Sequence, residues 1–391
     1  MRQVVLTGAG HVGPTGAGLE GLYAALDTAS VPLSTVPTDG GYHKPGSPNG
    51  ALTTPDNATK GWIKPLIARR MSKPSRMAVC AARMAVIDAG LAGTGEAWEG
   101  GEETATCFGT AWGGTNYTLR LLQQIETKGP EAISPFLFME TVANASAGQV
   151  ALDLKLRGAN LTLTQREASG VCAVARGAAL VASGRAERVF VASVDEISPI
   201  LHGILCRFGA VTASERPRPL NPGADGFLPA EGCTVYVLES EQAAAARKAP
   251  VHARIRAWGR ANDPTASATD WGTGSASLAA AMTRGLERFD VSPDSIRRIA
   301  SGACGAPKGD RLESAVLTQV FATDAPPVLT PKAQVGEYGG GFLGSALWAL
   351  NADSAPSELL PLGDSLEPAR RLLVTTLASG GPAAWFVLEQ S

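Results

Sequence analysis

The stretch LTLTQREASGVCA, residues 161–173, decides how this chain folds. A short run of alternating apolar residues leads into a sharp turn, and the small residues Ala-Ser-Gly at 168–170 then open a helix. A strand, a sharp turn and a helix in this order form a nucleophile elbow, which presents the turn residue beside the free N–H groups of the helix. The residue at this turn is Glu167, a poor nucleophile for acyl transfer. The sequence therefore predicts an intact elbow that lacks a working nucleophile.

Composition limits the class of protein. The chain has 391 residues, of which 45% are hydrophobic and 18% are charged, enough to bury a large core in one unit or two domains. The formal net charge is −2 and no basic stripe is present, so nucleic acid is not expected as a partner. No run approaches the roughly 18 apolar residues of a membrane span. The N-terminus enters a strand without a signal-like segment, so we expect a cytoplasmic protein.

Motifs for metals and nucleotides are weak. The six cysteines and four histidines are dispersed, without a CxxC pair or a metal-ligand spacing, so the sequence predicts no metal site. Gly8, Gly10 and Gly13 match the spacing of a dinucleotide fingerprint. Pro14 and further glycines follow at once, however, and no acidic residue ends a second strand about 20 residues on. A nucleotide-dependent oxidoreductase is therefore the least favoured function.

The order of strands and helices repeats once along the chain. After GCTVYVLES the segment VHARIRAWGRAND reads as a long strand, SLAAAMTRGLERFDVSPDSI as a helix and turn, and RRIASGACG as another strand. This second pass has the strand–helix–strand rhythm of the first. The sequence thus predicts an internally duplicated α/β protein with halves at 1–245 and 250–391.

Motifs along the whole chain resemble those of the β-ketoacyl synthase family. They are VVLTGAGHVGPTG, TVANASAGQVALDLKLRGANLTLT, RPLNPGADGFLPAEGCTVYVLES, GDRLES, KAQVGEYGGGFLGSALW and LASGGPAAWFVLE, in the family's order and spacing. The resemblance implies a thiolase-like fold, in which duplicated βαβαβ halves form a five-layered α-β-α-β-α core. It covers nearly all 391 residues.

The resemblance also implies three catalytic residues, and this chain has none of them. The family's elbow cysteine falls on Glu167, and its two histidines fall on Gly302 and Glu337. Without a thiolate and two imidazoles, the chain lacks the side chains that perform acyl transfer and stabilise the enolate in this family. Neighbouring scaffold positions of the family are retained, namely Ser169, Gly170, Asp310, Glu313 and Lys332.

One subgroup of the family has this pattern. Chain length factors are catalytically silent subunits that pair with an active ketosynthase in type II polyketide synthases and bound the tunnel in which the polyketide grows. Resemblance to them implies a ketosynthase as heterodimer partner, an acyl carrier protein acting through the complex, and no tightly bound cofactor. They often carry glutamine on the elbow, so Glu167 is a departure. The alternatives are a malonyl-carrier-protein decarboxylase, which generally keeps its histidines, and a degenerate homodimeric scaffold.

Three roles are open for Glu167. It could be a structural carboxylate that accepts hydrogen bonds from the helix N-terminus and from Arg166. It could be a general base or an aid to decarboxylation. It could also be a metal ligand together with Glu337. Two adjacent carboxylates repel, so one of them should be protonated or paired with Lys332.

Two further segments resemble the tunnel and the dimer interface of chain length factors. The tunnel prediction rests on a helix at residues 115–128, and its members are Thr115, Tyr117, Thr118, Leu119 and Leu122. The interface prediction rests on the SPFLFME segment, and its members are Phe136, Phe138 and Met139. For both sets the competing interpretation is ordinary helix core.

Overall fold

The computed structural model describes residues 1–38, 41–322, 325–361, 366 and 369–391. The helices are α1 Leu19–Asp27, α2 Pro65–Ala68, α3 Lys73–Asp88, α4 Thr115–Lys128, α5 Pro135–Met139, α6 Ala145–Asp153, α7 Ser169–Ala182, α8 Pro199–Arg207, α9 Glu241–Ala246, α10 Ser275–Glu287, α11 Pro307–Phe321, α12 Lys332–Val335 and α13 Gly341–Asn351. The strands are β1 Val4–Gly13, β2 Gly16–Ala17, β3 Ser34–Thr35, β4 Gly50–Ala51, β5 Thr104–Gly109, β6 Asn160–Leu163, β7 Arg188–Asp195, β8 Gly232–Ser240, β9 Ala253–Asn262, β10 Arg298–Ser301, β11 Val328–Leu329, β12 Arg371–Leu377 and β13 Pro382–Glu389. None of the described helices is long and apolar enough to cross a membrane.

The sheet contains the same five-strand pattern twice. Its first part runs β6-β5-β7-β8-β1 and its second β11-β10-β12-β13-β9, in both cases the third, second, fourth, fifth and first strand of that part. In each part the second strand pairs in parallel with the third and fourth, and the remaining pairs are antiparallel. The two parts join where β1 pairs with β9. The predicted duplication is therefore present in the topology, whereas the boundaries at 245 and 250 stay a prediction.

Side chains alternate between an inner and an outer core. Along β7, Val189 and Val191 pack in the inner core, whereas Phe190 and Ala192 pack in the outer core with α3 and α6. Along β13 the same alternation separates the inner core from a second outer core under α10 and α11. Helix α7 lies in the inner layer, since it contacts β5 and β7 from one part and β13 from the other. The two parts of the sheet thus form two of five layers, in the order helix, sheet, helix, sheet and helix, as predicted.

Gly8 and Gly10, whose spacing matches a nucleotide-binding fingerprint, allow β1 to pack closely against α3. All of β1 is buried, and it passes directly over α3. A Cβ atom at Gly10 would lie 2.1 Å from the carbonyl oxygen of Ala81, and one at Gly8 would lie 2.5 Å from that of Ala85. Only glycine permits this approach. The spacing therefore reflects close strand–helix contact.

Candidate active-site region

The elbow is held together by the hydroxyl of Ser169. Glu167 lies in a short 3-10 turn between β6 and α7, and the residue before it, Arg166, has a φ of +48°. Oγ of Ser169 accepts the N–H of Gln165 at 2.9 Å and donates to the carbonyl of Arg166 at 2.7 Å. It also lies 3.1 Å from the carbonyl of Thr110, at the end of β5. The predicted elbow is therefore formed, with Glu167 presented at the turn.

The carboxylate of Glu167 is bound by groups from the C-terminal blocks. Its Oε2 accepts the backbone N–H of Ser379 at 3.1 Å, and its Oε1 accepts the hydroxyl of Tyr338 at 3.3 Å. Arg166 does not bind this carboxylate, contrary to the sequence-based expectation. Its guanidinium donates instead to Oγ of Ser379 at 2.9 Å and to the carbonyl of Ala268 at 2.8 Å, because its side chain extends over the 378–381 turn. Glu167 thus forms a hydrogen-bonded cap on the elbow.

The environment of Glu167 favours the neutral acid. Burial raises the pKa of this carboxyl group, and the charge of Glu337 raises it further. The hydrogen bond from Ser379 and the charge of Lys332 oppose that rise without cancelling it. The raised pKa, together with the hydrogen bonds from Ser379 and Tyr338, argues against a role of Glu167 as a nucleophile.

Glu337, the predicted position of the second histidine, belongs to a buried ion pair. Nζ of Lys332 lies 2.8 Å from both carboxylate oxygens of Glu337, and both side chains are buried. The N–H of Tyr338 also donates to this carboxylate, at 3.1 Å. Burial lowers the pKa of Lys332, but the charges of neighbouring groups, Glu337 foremost, and the hydrogen bond to Glu337 together outweigh this effect, so the net pKa is raised. The expected pairing with Lys332 is thus made by Glu337.

Gly302, the predicted position of the first histidine, has no room for a side chain. A Cβ atom at Gly302 would lie 2.5 Å from Oγ1 and 2.7 Å from Cα of Thr376 on β12. The N–H of Gly302 donates to Oε1 of Glu313 at 2.9 Å, and the hydroxyl of Ser301 donates to the same oxygen at 2.8 Å. Burial raises the pKa of Glu313 to about 7. Asp310 binds the N–H groups of residues 304 and 305. The two retained carboxyl groups therefore shape this loop.

Little space remains beside the elbow. The cavity that Glu167, Glu337 and Phe342 help to line has a volume of about 20 Å³, which suits one or two water molecules and excludes an acyl chain. Cys172 is not a substitute nucleophile, because it is buried within α7 and burial raises its thiol pKa to about 11. The cavity beside the elbow is thus too small for an acyl chain.

The helix of the tunnel prediction is only partly in the core. Leu121 is its one buried residue, Thr115, Tyr117, Thr118 and Leu119 are half-buried, and Leu122 is 55% exposed. The hydroxyl of Tyr117 donates to the carbonyl of Met71 at 3.1 Å, and that of Thr118 to the carbonyl of Gly114 at 3.0 Å. The core interpretation is therefore wrong for Leu122, because the predicted stripe faces away from Leu121.

The predicted interface residues lie on the surface. Phe136, Phe138 and Met139 on α5 are 57%, 55% and 53% exposed, whereas Leu137 between them is buried. The core interpretation is thus wrong for all three side chains. Helix α5 contacts α4, which brings these side chains and Leu122 to neighbouring elements.

Sequence reasoning did not single out Asp195. This carboxylate ends β7 and accepts the N–H groups of Ala111 and Trp112 and the hydroxyl of Thr110, at 2.7–3.1 Å. It thereby fixes the turn that leads from β5 into α4. Burial raises its pKa to about 6. The sequence does show an acidic residue at the end of the apolar run RVFVASVDE, but the groups that its carboxylate binds could not be inferred from that run.

Comparison with known proteins agrees with this geometry. A relative from Streptomyces cyaneus named "Putative polyketide beta-ketoacyl synthase 2" is 26% identical over all of this chain and 93% of its own length. The solved structure titled "The ishigamide ketosynthase/chain length factor" has a TM-score of 0.87 and 26% identity, and the match covers 100% of this chain and 99% of that one. A ketosynthase complex titled "AntDE:AntF" shares the fold at a TM-score of 0.84 and 20% identity, over the full length of both chains.

The family match extends along most of the chain. The β-ketoacyl synthase N-terminal domain matches residues 1–244, and the C-terminal domain of the same family matches residues 252–349. The predicted thiolase-like fold and the resemblance to ketosynthases and chain length factors of type II polyketide synthases are thereby confirmed. The chain belongs to the β-ketoacyl synthase family.

Proposed function

We propose that this chain is the non-catalytic, chain-length-determining subunit of a type II polyketide synthase. The observation that carries the proposal is the state of the three catalytic positions. Glu167 is hydrogen-bonded and favours its neutral form, Gly302 has no room for a side chain, and Glu337 is bound to Lys332. Each position is built into the surrounding structure, which supports a non-catalytic role.

Chemistry at the elbow argues against covalent catalysis. An acyl group on Glu167 would form a mixed anhydride, which water hydrolyses, and its formation would require loss of the hydrogen bonds from Ser379 and Tyr338. Stabilising an enolate needs positioned donors, a contribution typically worth several kcal/mol. Lys332 already binds Glu337, and the N–H of Ser379 already donates to Glu167, so neither donor is available to an enolate.

An apolar surface supports a heterodimer. The α4–α5 patch is the set of Leu122 on α4 and Phe136, Phe138 and Met139 on the contacting helix α5, each of which is more than half exposed. Exposed apolar clusters of this kind mark sites of protein association. Strand β6 ends the sheet, pairing only with β5 among the described strands, and such an open edge invites a partner. The proposed partner is a cysteine-bearing ketosynthase, to which an acyl carrier protein delivers malonyl units.

Helix α4 supports a role in product length. Thr115 and Thr118 are small, half-buried residues next to the exposed part of the α4–α5 patch. We infer that this stripe forms part of the wall of a cavity completed by the partner. Small side chains here leave the cavity longer than aromatic ones would.

The test compares the chain alone with the reconstituted pair. The purified chain is incubated with malonyl-loaded carrier protein, with and without a cysteine-bearing ketosynthase, and released CO₂ and condensed products are measured. We expect neither CO₂ nor product from the chain alone, and full-length polyketide from the pair. Release of CO₂ by the chain alone, abolished in Glu167→Ala, would instead establish the decarboxylase.

A further inference from the structure

Two histidines and a cysteine that are far apart in sequence meet at helix α8. His202 and Cys206 are four residues apart on this helix and therefore share a face. His43 approaches from the 41–50 segment, and its Nε2 lies 2.9 Å from Nδ1 of His202. Sγ of Cys206 lies 3.5 Å from the same nitrogen. The three potential ligand atoms all lie within 4.8 Å of one another, the one such group among the described residues.

A hydrogen bond to the backbone fixes the tautomer of His202 in the form that can bind a metal through Nδ1. Nε2 of His202 lies 2.9 Å from the carbonyl of Gly50, which can only accept, so this nitrogen carries the proton. The Nδ1 lone pair of His202 therefore points at His43 and Cys206. A backbone carbonyl that fixes the tautomer and ring orientation of a histidine is the usual second shell of a metal ligand.

The distances fit a zinc-sized ion. Zinc bonds of about 2.0–2.1 Å to nitrogen and 2.3 Å to sulfur place tetrahedral ligands roughly 3.3 Å apart for a nitrogen pair and 3.6 Å for nitrogen and sulfur. The two separations from Nδ1 of His202 are 2.9 Å and 3.5 Å, and all three ligand atoms lie within 4.8 Å of one another, so the nitrogen pair must open by a few tenths of an ångström around an ion. We propose that His43, His202 and Cys206 bind one thiophilic divalent metal ion of the zinc type. The proposal does not depend on the proposed subunit role.

Metal binding at this site requires only proton transfers and no further reactant. The thiol of Cys206, which donates to the carbonyl of Pro48 at 3.3 Å, loses one proton to solvent and becomes a thiolate. The proton on Nε2 of His43 moves to Nδ1 of the same ring, a buried atom without a hydrogen-bond partner in the described structure. Three protein ligands leave a fourth position for water, on the side of the partly exposed Cys206.

The ion would clamp α8 to the 41–50 segment. These elements already touch closely, since a Cβ atom at Gly203 would lie 2.8 Å from the carbonyl oxygen of Tyr42 and Arg207 donates to that same oxygen at 2.7 Å. Sequence reasoning predicted no metal site because the ligands are 159 residues apart between His43 and His202. Only the fold brings them together.

The experiment titrates the full, tag-free chain, stripped with a chelator, with Co²⁺ and then Zn²⁺. We expect one Co²⁺ per chain, a thiolate-to-cobalt charge-transfer band and four-coordinate d–d bands, all removed by one equivalent of Zn²⁺. Zn²⁺ should raise the unfolding temperature of the wild type. Binding without the charge-transfer band, or no binding, would overturn the proposal.

Variants separate this site from surface histidines. Cys206→Ser should abolish the charge-transfer band, and His43→Gln should weaken Zn²⁺ binding at least as much as the roughly 10- to 100-fold loss typical of second-shell changes. The matched control is His252→Gln, a partly exposed histidine beside Asp88 on another element. It should bind as the wild type does. Equal metal affinity in Cys206→Ser and the wild type would contradict the assignment, provided their metal-free unfolding temperatures agree.

Discussion

Lys332 and Glu337 form a buried ion pair in which Nζ lies 2.8 Å from each carboxylate oxygen. The resemblance to the β-ketoacyl synthase family assigns the position of Glu337 to a histidine, and both side chains of the pair are at most 2% exposed. Glu337 is the carboxylate that Lys332 contacts directly, so it neutralises the buried ammonium charge.

This relationship predicts strong coupling between the two residues. Removal of one partner leaves an uncompensated buried charge, so Lys332→Met or Glu337→Met should each lower the free energy of unfolding by about 3–5 kcal/mol. The double variant Lys332→Met/Glu337→Met should recover most of that loss. Urea unfolding of the four proteins measures it. Single variants within about 0.5 kcal/mol of the wild type, or strictly additive effects, would show that the pair is not coupled.

Gly302 should not tolerate even a methyl group. The added Cβ of Gly302→Ala would meet Oγ1 and Cα of Thr376, and overpacking of this kind lowers the free energy of unfolding by about 1–3 kcal/mol. Gly148→Ala is the control, because a Cβ there meets nothing within 4 Å and alanine favours its helix. Chemical denaturation of both variants tests this. Equal stability of the two would mean that the loop relaxes freely.

The pKa of Glu313, raised by burial to about 7, predicts a pH-dependent stability. Between the unfolded and folded pKa values the native state keeps a proton that the unfolded chain has lost, so stability falls as pH rises through this window. Glu313→Gln keeps the acceptor for Ser301 and Gly302 but does not titrate. From about pH 4 to about pH 8 the wild type should lose up to about 3 kcal/mol relative to this variant. A constant difference across that range would refute the assignment.

Thr118 should influence product length if α4 bounds the tunnel. Thr118→Phe adds an aromatic ring to the half-buried stripe and should shorten the polyketide made by the reconstituted pair. Thr127→Phe is the control, since Thr127 is exposed near the end of the same helix. Mass spectrometry of released products gives the answer. An unchanged product from Thr118→Phe in an intact heterodimer would remove Thr118 from the tunnel wall.

Much of the fold could be predicted from local pattern. The elbow followed from an apolar strand, a turn and the small residues that open α7, and the duplication followed from the repeated strand–helix rhythm. These features depend on neighbours in sequence. The helix at residues 115–128 likewise ends at a glycine with a φ of +83°.

The partners of single side chains could not be predicted in the same way. Glu167 was expected to bind Arg166, its neighbour, yet its carboxylate is held by Ser379 and Tyr338, which lie 212 and 171 residues away. The cluster of His43, His202 and Cys206 was missed for the same reason. Such contacts depend on how the two parts of the sheet and their loops meet, which one-dimensional spacing does not encode.

The α4–α5 patch should be the surface that the partner covers. Phe138→Asp places a charge among apolar side chains at the proposed interface and should weaken association with the ketosynthase by more than about tenfold. The free chain should keep its stability, because Phe138 is 55% exposed. Analytical ultracentrifugation of variant and wild type measures both effects. Unchanged association would place the interface elsewhere.

The subunit role can be tested by native mass spectrometry of the chain purified from its own host. We expect a one-to-one complex with a ketosynthase whose elbow carries cysteine. A homodimer of this chain as the sole assembly would contradict the subunit role and leave decarboxylation or scaffolding as its function.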